Sequence, residues 1–103
     1  MPGINPYHAV AGPQLDALIH QKVLGNSADG ACPAYSTDAA LADQVRRSIE
    51  KTYKEPVITG RTQIRGRSWF ARYERDPSTS TEVLAETYPL AVCRLALLRA
   101  LKP

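Results

Sequence analysis

The feature that most constrains the fold is the segment Arg61–Arg75, which contains one glycine near its middle and reads as two strands joined by a tight turn. Successive side chains of a strand point to opposite faces of the sheet, so such a hairpin would have two faces of different character. A two-residue loop at Gly66-Arg67, with glycine first, fits a type II′ turn and therefore predicts a β-hairpin.

The predicted turn also fixes a register, in which Arg61 lies opposite Arg72 and Ile64 lies opposite Trp69. The face expected to pack on helices holds Thr62, Ile64, Trp69, Ala71 and Tyr73. The other face holds Arg61, Gln63, Arg65, Phe70, Arg72 and Glu74. Because two arginines directly opposite each other repel, this register requires either Glu74 or a bound anion beside them. A slip of one residue would exchange the two faces.

Three other segments have the periodicity or the boundary residues of helices. The first is Pro13–Gly25, between a proline suited to a first turn and a glycine suited to a stop. The second is Ser36–Lys54, which opens with a Ser-Thr-Asp capping sequence and is followed by a proline. The last begins at Pro89 and is apolar around most of its circumference, which is typical of a helix buried on several sides. Thr81–Ala85 is a candidate for a third, short strand.

A length of 103 residues and the element order α-α-β-β-(β)-α indicate one α+β domain. We expect residues 13–103 to form it, with helices packed on a small antiparallel sheet built around the hairpin. Residues 1–12, rich in proline and glycine and without periodicity, are expected to form a flexible or loosely docked N-terminal arm. Because so small a sheet leaves exposed edges, we also expect a homodimer or a higher oligomer.

Charge and cysteine content narrow the function classes. The net charge is only +3, although five arginines stand between Arg61 and Arg75 against one acid, so bulk charge alone does not predict a nucleic-acid binder. Cys32 and Cys93 are too few for a disulfide framework. Since no apolar run could span a membrane and the N-terminus lacks a signal-peptide pattern, we expect a soluble cytoplasmic protein.

The chain resembles a family of small bacteriophage proteins that carry the phage ABA sandwich domain. The resemblance is carried by Leu15–Gly25, Tyr35–Asp38, Gly66–Tyr73 and Glu86–Leu97, and it covers about Leu15 to Leu101. Its strongest pieces are Leu-Asp-Ala-Leu-Ile, Tyr-Ser-Thr-Asp and Glu-Thr-x-Pro-Leu-Ala-x-Cys-Arg-x-Ala-Leu. The resemblance implies an α-β-α layered sandwich and a phage or prophage origin, hence the cytoplasm of an infected or lysogenic bacterial host. It implies no established activity.

The candidate ligand-binding residues are arginines and aromatic residues. Arginine binds phosphate through two N–H groups and stacks on flat rings, and aromatic side chains stack on bases. The candidates are Arg61, Arg65, Arg72, Phe70, Tyr73, Trp69 and Tyr35. Some small phage proteins of comparable size sequester immune nucleotides. By that analogy, the candidates predict a counter-defence protein that captures a cyclic nucleotide or a cyclic ADP-ribose type of signal.

The same residues also fit other functions. An arginine-rich face could dock on an acidic surface of a host defence protein, or it could bind a nucleic acid. It could also be a solvated face whose arginines pair with nearby acids. No pattern for catalysis, a cofactor or a metal is present: His8 and His20 stand apart from cysteines and paired acids, and there is neither a glycine-rich phosphate loop nor zinc-ligand spacing.

Two short polar sequences precede predicted helices. Ser36, Thr37 and Asp38 fit a helix cap better than an anion site. Thr87 is the expected cap of the last helix, and Glu86 is a candidate partner for Arg72 or Arg61.

Overall fold

The computed structural model describes residues 9–25, 32–73 and 82–101. In chain order its elements are α1 (Pro13–Leu18), continued by a π-helical turn (Ile19–Val23), α2 (Ala39–Tyr53), β1 (Val57–Arg61), β2 (Trp69–Tyr73), β3 (Val83–Ala85) and α3 (Tyr88–Leu101). The predicted fold class is confirmed: helices pack on a small antiparallel sheet that is built around one hairpin and completed by a short third strand.

The last helix lies at the centre of the domain. The sheet has the strand order β1-β2-β3 with both pairs antiparallel. α3 packs against β2 and β3, and it also contacts α2 and the π-helical turn. Its solvent-inaccessible residues are Ala91, Val92, Cys93, Leu95, Ala96 and Leu97. The prediction that this helix is buried on several sides is therefore confirmed.

The predicted register of the hairpin is wrong. Arg61 lies opposite Trp69, and Arg72 lies opposite Ile58, so the two arginines do not face each other. The displacement is an odd number of residues, and as a result Arg61 lies on the helix-facing side of the sheet. On β2 the predicted faces are correct, because Ala71 and Tyr73 are buried.

The error arises in the connection between the strands, which spans residues 62–68. The Thr62 hydroxyl accepts a hydrogen bond from the Ile64 N–H (3.2 Å) and donates one to the Arg67 carbonyl. Such side-chain bonds compete with strand pairing. The Arg67 N–H donates to the Ile64 carbonyl (3.0 Å), and Gly66 has a φ of 75°. Gly66 is therefore the third residue of this turn, as in type II, and not the first central residue of a type II′ turn.

Thr62 and Ile64 are consequently loop residues, although both were predicted to lie on the packed face. Ile64 is 50% exposed. The hydrogen bonds of Thr62 are local and stabilise the loop rather than the core.

The described part of the N-terminal segment, residues 9–12, is docked on the rest of the domain. Ala9 is buried, and its carbonyl accepts a hydrogen bond from Arg94 Nε (2.8 Å). The Gly12 N–H donates to Ser36 Oγ (3.0 Å). Arg94 Nη1 also donates to the Leu84 carbonyl (2.6 Å), so one arginine of α3 ties this segment to β3.

Several predictions fall outside the described residues. They concern residues 1–8 of the arm, Glu74 as a partner of the hairpin arginines, the loop beyond it, and Thr81 at the start of the third strand.

Candidate functional site

The seven predicted ligand-binding residues lie in five different places. These are the contact of Arg61 with Trp69, the sheet face that holds Phe70 and Arg72, the core position of Tyr73, the buried position of Tyr35, and the exposed loop position of Arg65. Within this set, the structure brings an arginine onto an aromatic ring only at Arg61 and Trp69 among the described residues.

Arg61 and Trp69 begin a connected line of side chains. Arg61 Cζ lies 5.2 Å from the centroid of the Trp69 ring, within the range of a cation–π contact. The Trp69 and Tyr88 rings meet edge to face, with centroids 5.5 Å apart and an interplanar angle of 66°. The Tyr88 hydroxyl donates to Asp43 Oδ1 (3.2 Å). The line therefore runs from β1 across β2 to the first turn of α3 and then to α2.

Asp43 holds two further arginines at the end of this line. Arg46 Nη2 lies 2.8 Å from Asp43 Oδ1, and Arg47 Nη2 lies 3.1 Å from Oδ2. The hydrogen bond from Arg46 lowers the pKa of the Asp43 carboxyl and raises the pKa of Arg46. Burial raises the pKa of Tyr88. We call these six residues the arginine–aromatic surface: Arg61, Trp69, Tyr88, Asp43, Arg46 and Arg47.

The arginine–aromatic surface has an excess of positive charge. It contains three guanidinium groups and one carboxylate, that of Asp43, which pairs with Arg46 and Arg47. Outside the surface, Glu50 Oε1 lies 4.0 Å from Arg46 Nη1. The Arg47 side chain is 75% exposed. Within the described ranges no carboxylate pairs with Arg61, whose guanidinium carbon lies over the Trp69 ring.

The opposite face of the sheet lacks the predicted cluster of arginines. Arg72 faces Ile58 across the strands, and Phe70 faces Gly60. The Phe70 ring covers Gly60 so closely that a Cβ added to this glycine would lie 2.6 Å from the ring Cε1 atom. Because the predicted repulsion between Arg61 and Arg72 does not exist, the original reason to place an anion on this face is removed.

Tyr73 is a core residue. It is 1% exposed and meets Tyr53 edge to face, with ring centroids 6.4 Å apart. Arg99 Cζ lies 4.7 Å from the Tyr53 centroid and 5.1 Å from the Tyr73 centroid, and Glu55 Oε1 lies 3.7 Å from Arg99 Nη1. Burial raises the pKa of Tyr73. Its ring therefore stacks within the domain and is covered from solvent.

The Tyr73 hydroxyl finds no hydrogen-bond partner among the described residues. A buried hydroxyl without a partner is destabilising. We therefore expect Tyr73→Phe to leave the free energy of unfolding unchanged or to raise it by up to about 1 kcal/mol. The melting temperature should likewise stay the same or rise. Tyr53→Phe, at the half-buried ring beside it, is the control. A clear loss of stability in Tyr73→Phe alone would show that the hydroxyl is satisfied in solution.

Tyr35 is also buried, at a distance in sequence from the hairpin. Its hydroxyl forms a 3.0 Å hydrogen bond with His20 Nδ1, and the two rings are stacked with centroids 6.0 Å apart. Burial raises the pKa of Tyr35. The residue thus joins the π-helical turn to the loop before α2.

Residues of the Ser-Thr-Asp sequence form hydrogen bonds at two different places. Asp38, not Ser36 or Thr37, caps α2: its Oδ1 accepts hydrogen bonds from the N–H groups of Ala40 (2.9 Å) and Leu41 (3.2 Å). Ser36 instead donates from its N–H (2.8 Å) and its hydroxyl (2.7 Å) to Oδ1 of Asp16, which is buried. Sequence reasoning missed Asp16, although an acid inside the apolar Leu-Asp-Ala-Leu-Ile run was an available signal.

A cavity of about 410 Å³ lies where the N-terminal segment, the Ser-Thr-Asp sequence and the β3–α3 connection meet. It is lined by Ala11, Ser36, Thr37, Ala39, Glu86, Thr87, Pro89 and Leu90. Thr87 Oγ1 accepts from the Leu90 N–H (3.3 Å), which confirms the predicted cap. Two of the segments that carry the family resemblance therefore line one concavity, next to Tyr88 of the arginine–aromatic surface. Its volume is in the range of small-molecule sites.

Glu86 interacts electrostatically with Arg94, and not with Arg72 or Arg61 as predicted. Burial lowers the pKa of Arg94, and the charge of Glu86 partly opposes that change. Within the described ranges, Glu86 forms no ion pair with Arg72 or Arg61.

The described part of the chain contains no group of three His, Cys, Asp or Glu side chains that could hold a metal ion. None of its helices combines the length and the apolar character needed to cross a bilayer.

Comparison with known proteins identifies a fold. No protein-family profile matches the chain, and no curated protein matches it. A solved structure, a phage protein from Bacillus cereus ATCC 14579, superposes with a TM-score of 0.68 at 24% identity, covering 87% of this chain and 92% of that chain. The two chains share a fold.

Proposed function

We propose that this chain is a small phage-derived binding protein that captures a nucleotide-derived immune signal, of cyclic nucleotide or cyclic ADP-ribose type, without catalysis. In this proposal it acts as a counter-defence sponge in the cytoplasm of the bacterial host. The observation that carries the proposal is the stacking of Arg61 on Trp69 within the arginine–aromatic surface. The phage protein from Bacillus cereus with the same fold supports the phage origin.

The chemistry of the surface suits an anionic ligand with flat rings. A guanidinium that lies against an indole can still donate its edge N–H groups to a phosphate in a bidentate manner. Arg46 and Arg47 add positive charge, and Asp43 restricts the positions of both. Sequestration needs affinity and no bond-making step, so these groups are sufficient for it.

Ligand binding can be measured by the fluorescence of Trp69, because it is the only tryptophan in the chain. Its fluorescence reports directly on the arginine–aromatic surface. We would titrate the purified protein with cyclic di- and trinucleotides, cyclic ADP-ribose isomers, NAD and ADP-ribose. We expect one of them to change the fluorescence in a saturable way and to raise the melting temperature in proportion to its occupancy.

Two arginine variants locate the site. Arg61→Gln removes the stacked guanidinium, and we expect it to weaken binding at least about tenfold, since a lost charged hydrogen bond is worth more than about 1.4 kcal/mol. Arg65→Gln removes the same charge from the exposed loop and is expected to leave affinity unchanged. Equal losses in both variants would indicate an effect of net charge and contradict this site. A panel without any binder would contradict the ligand class.

The exposure of Arg47 favours a second candidate, the docking of an acidic surface of a host defence protein. This function predicts a flat small-molecule screen and the capture of one host protein by the native chain and by Arg65→Gln, but not by Arg61→Gln. A nucleic-acid binder would instead bind DNA or RNA with an affinity that falls steeply with salt.

A further inference from the structure

The outer edge of β1 presents backbone hydrogen-bonding groups that no described residue uses. We propose that two copies of this chain pair antiparallel through this edge, with Thr59 on the two-fold axis, and join their sheets into one. The inference rests on backbone geometry and is independent of the proposed ligand.

One hydrogen bond fixes which groups of β1 point outward. The Thr62 N–H donates to the Ser68 carbonyl (2.7 Å), so these two residues form a hydrogen-bonded pair. Pairs alternate along an antiparallel ladder. Ile58 and Gly60 therefore bond to β2, whereas the N–H and C=O groups of Val57, Thr59 and Arg61 point to the outer edge.

Two other hydrogen bonds agree with this orientation. The Val57 N–H donates outside the sheet, to Glu50 Oε2 (2.9 Å). The Leu84 carbonyl, which the same alternation turns away from β2, accepts from Arg94 Nη1 (2.6 Å). Arg94 thus covers the β3 edge at Leu84, while the described residues leave Thr59 and Arg61 uncovered on the β1 edge.

The sequence of β1 protects this edge only at its last residue. Native proteins block edge strands with proline, with charged side chains or with a bulge, and the one charged residue of β1 is Arg61 at its end. β1 reads Val-Ile-Thr-Gly-Arg and pairs with β2 in a continuous register without a bulge. Its β-branched residues favour strand pairing.

The self-pairing with Thr59 on the axis uses the available groups. The two Thr59 residues exchange both of their backbone hydrogen bonds, and the Arg61 N–H of each copy donates to the Val57 carbonyl of the other. In the same pair the Val57 N–H donates to the Arg61 carbonyl of the other copy, and this bond replaces the one to Glu50. Each Arg61 then lies opposite Val57 of the second copy, and the two Arg61 residues lie at opposite ends of the paired segment.

The side chains on the outer face also complement each other in this register. Ile58 of one copy lies opposite Gly60 of the other. Gly60 has no side chain, and the Phe70 ring of its own copy covers it. Ile58 of one copy therefore packs on the Phe70 ring of the other copy. The two-fold axis repeats this contact, so the dimer contains it twice.

Light scattering after gel filtration tests the proposal on the full chain. We expect the native protein to have twice the monomer mass of 11.3 kDa. Thr59→Pro removes an outward N–H without removing a bond to β2. Since both copies lose it, the dissociation constant should rise by about tenfold or more. Ile58→Lys places a charge at the contact with Phe70 and should weaken the dimer to a similar extent.

Each variant has a matched control. Thr59→Val keeps the backbone N–H and should remain dimeric. Leu84→Lys places the same charge on the same face, but on β3, and should also remain dimeric. Circular dichroism establishes that each variant is folded, and Ile58→Lys decides the result if Thr59→Pro is not. A native protein that remains monomeric at every concentration, a dimer that survives in folded Ile58→Lys, or an equal effect of Leu84→Lys would overturn the proposal.

Discussion

Replacing Asp16 by alanine is expected to lower the free energy of unfolding by about 3 kcal/mol. Asp16 Oδ1 accepts from both the N–H and the hydroxyl of Ser36, and Ser36 Oγ in turn accepts from the Gly12 N–H. Alanine would leave the buried Ser36 N–H without its partner. For a domain of this size the change corresponds to a fall of more than about 10 °C in the melting temperature, measurable by calorimetry.

Asp38→Ala is the matched control, because it removes the same functional group from an exposed position. We expect a cost of about 1 kcal/mol, the usual value for a helix N-cap. If both variants lost the same amount, Asp16 would not be the internal anchor of α1 and the loop before α2. Asp16→Asn, which keeps an acceptor oxygen, should fall between the native protein and Asp16→Ala.

The second large effect is expected from Leu95→Ala, with a loss of about 3 to 4 kcal/mol in the free energy of unfolding. Leu95 is fully buried, and its helix lies between α2 and the sheet. The cavity left by the smaller side chain is therefore enclosed on several sides and collapses little. Urea unfolding monitored by circular dichroism measures the change.

Leu98→Ala is the comparison within the same helix. Leu98 is half-buried against the core, so water and mobile neighbours can occupy the vacated space. We expect less than half of the loss seen for Leu95→Ala. Equal losses would mean that the site of Leu95 is no more enclosed than that of Leu98.

The secondary structure was largely predictable because local signals decide it. Pro13 begins α1, the Ser-Thr-Asp sequence precedes α2, and α3 contains an apolar surface too wide for a helix at the periphery. These signals act over one or two turns of chain, so they can be read without knowing the rest of the structure.

The hairpin register was not predictable by the same means. A glycine that precedes a loop residue fits several turn types, and the choice depended on the hydroxyl of Thr62, which organises residues 62–68. Register is the property most sensitive to such a choice, because an odd shift moves every side chain of a strand to the other face. For this reason the predicted face shared by Arg61 and Arg72 does not exist, and Arg61 lies over the Trp69 ring instead.

The sequence by itself determined the class of fold, the approximate positions of the helices and of the hairpin, and the residue types available for binding. The tertiary structure alone decided which of those residues meet. Arg61, Trp69 and Tyr88 come from two strands and a helix, and Asp16 reaches Ser36 from another helix. The reason is physical: helix and strand signals arise between chain neighbours, whereas a site forms through contacts whose geometry depends on strand register and on packing around α3.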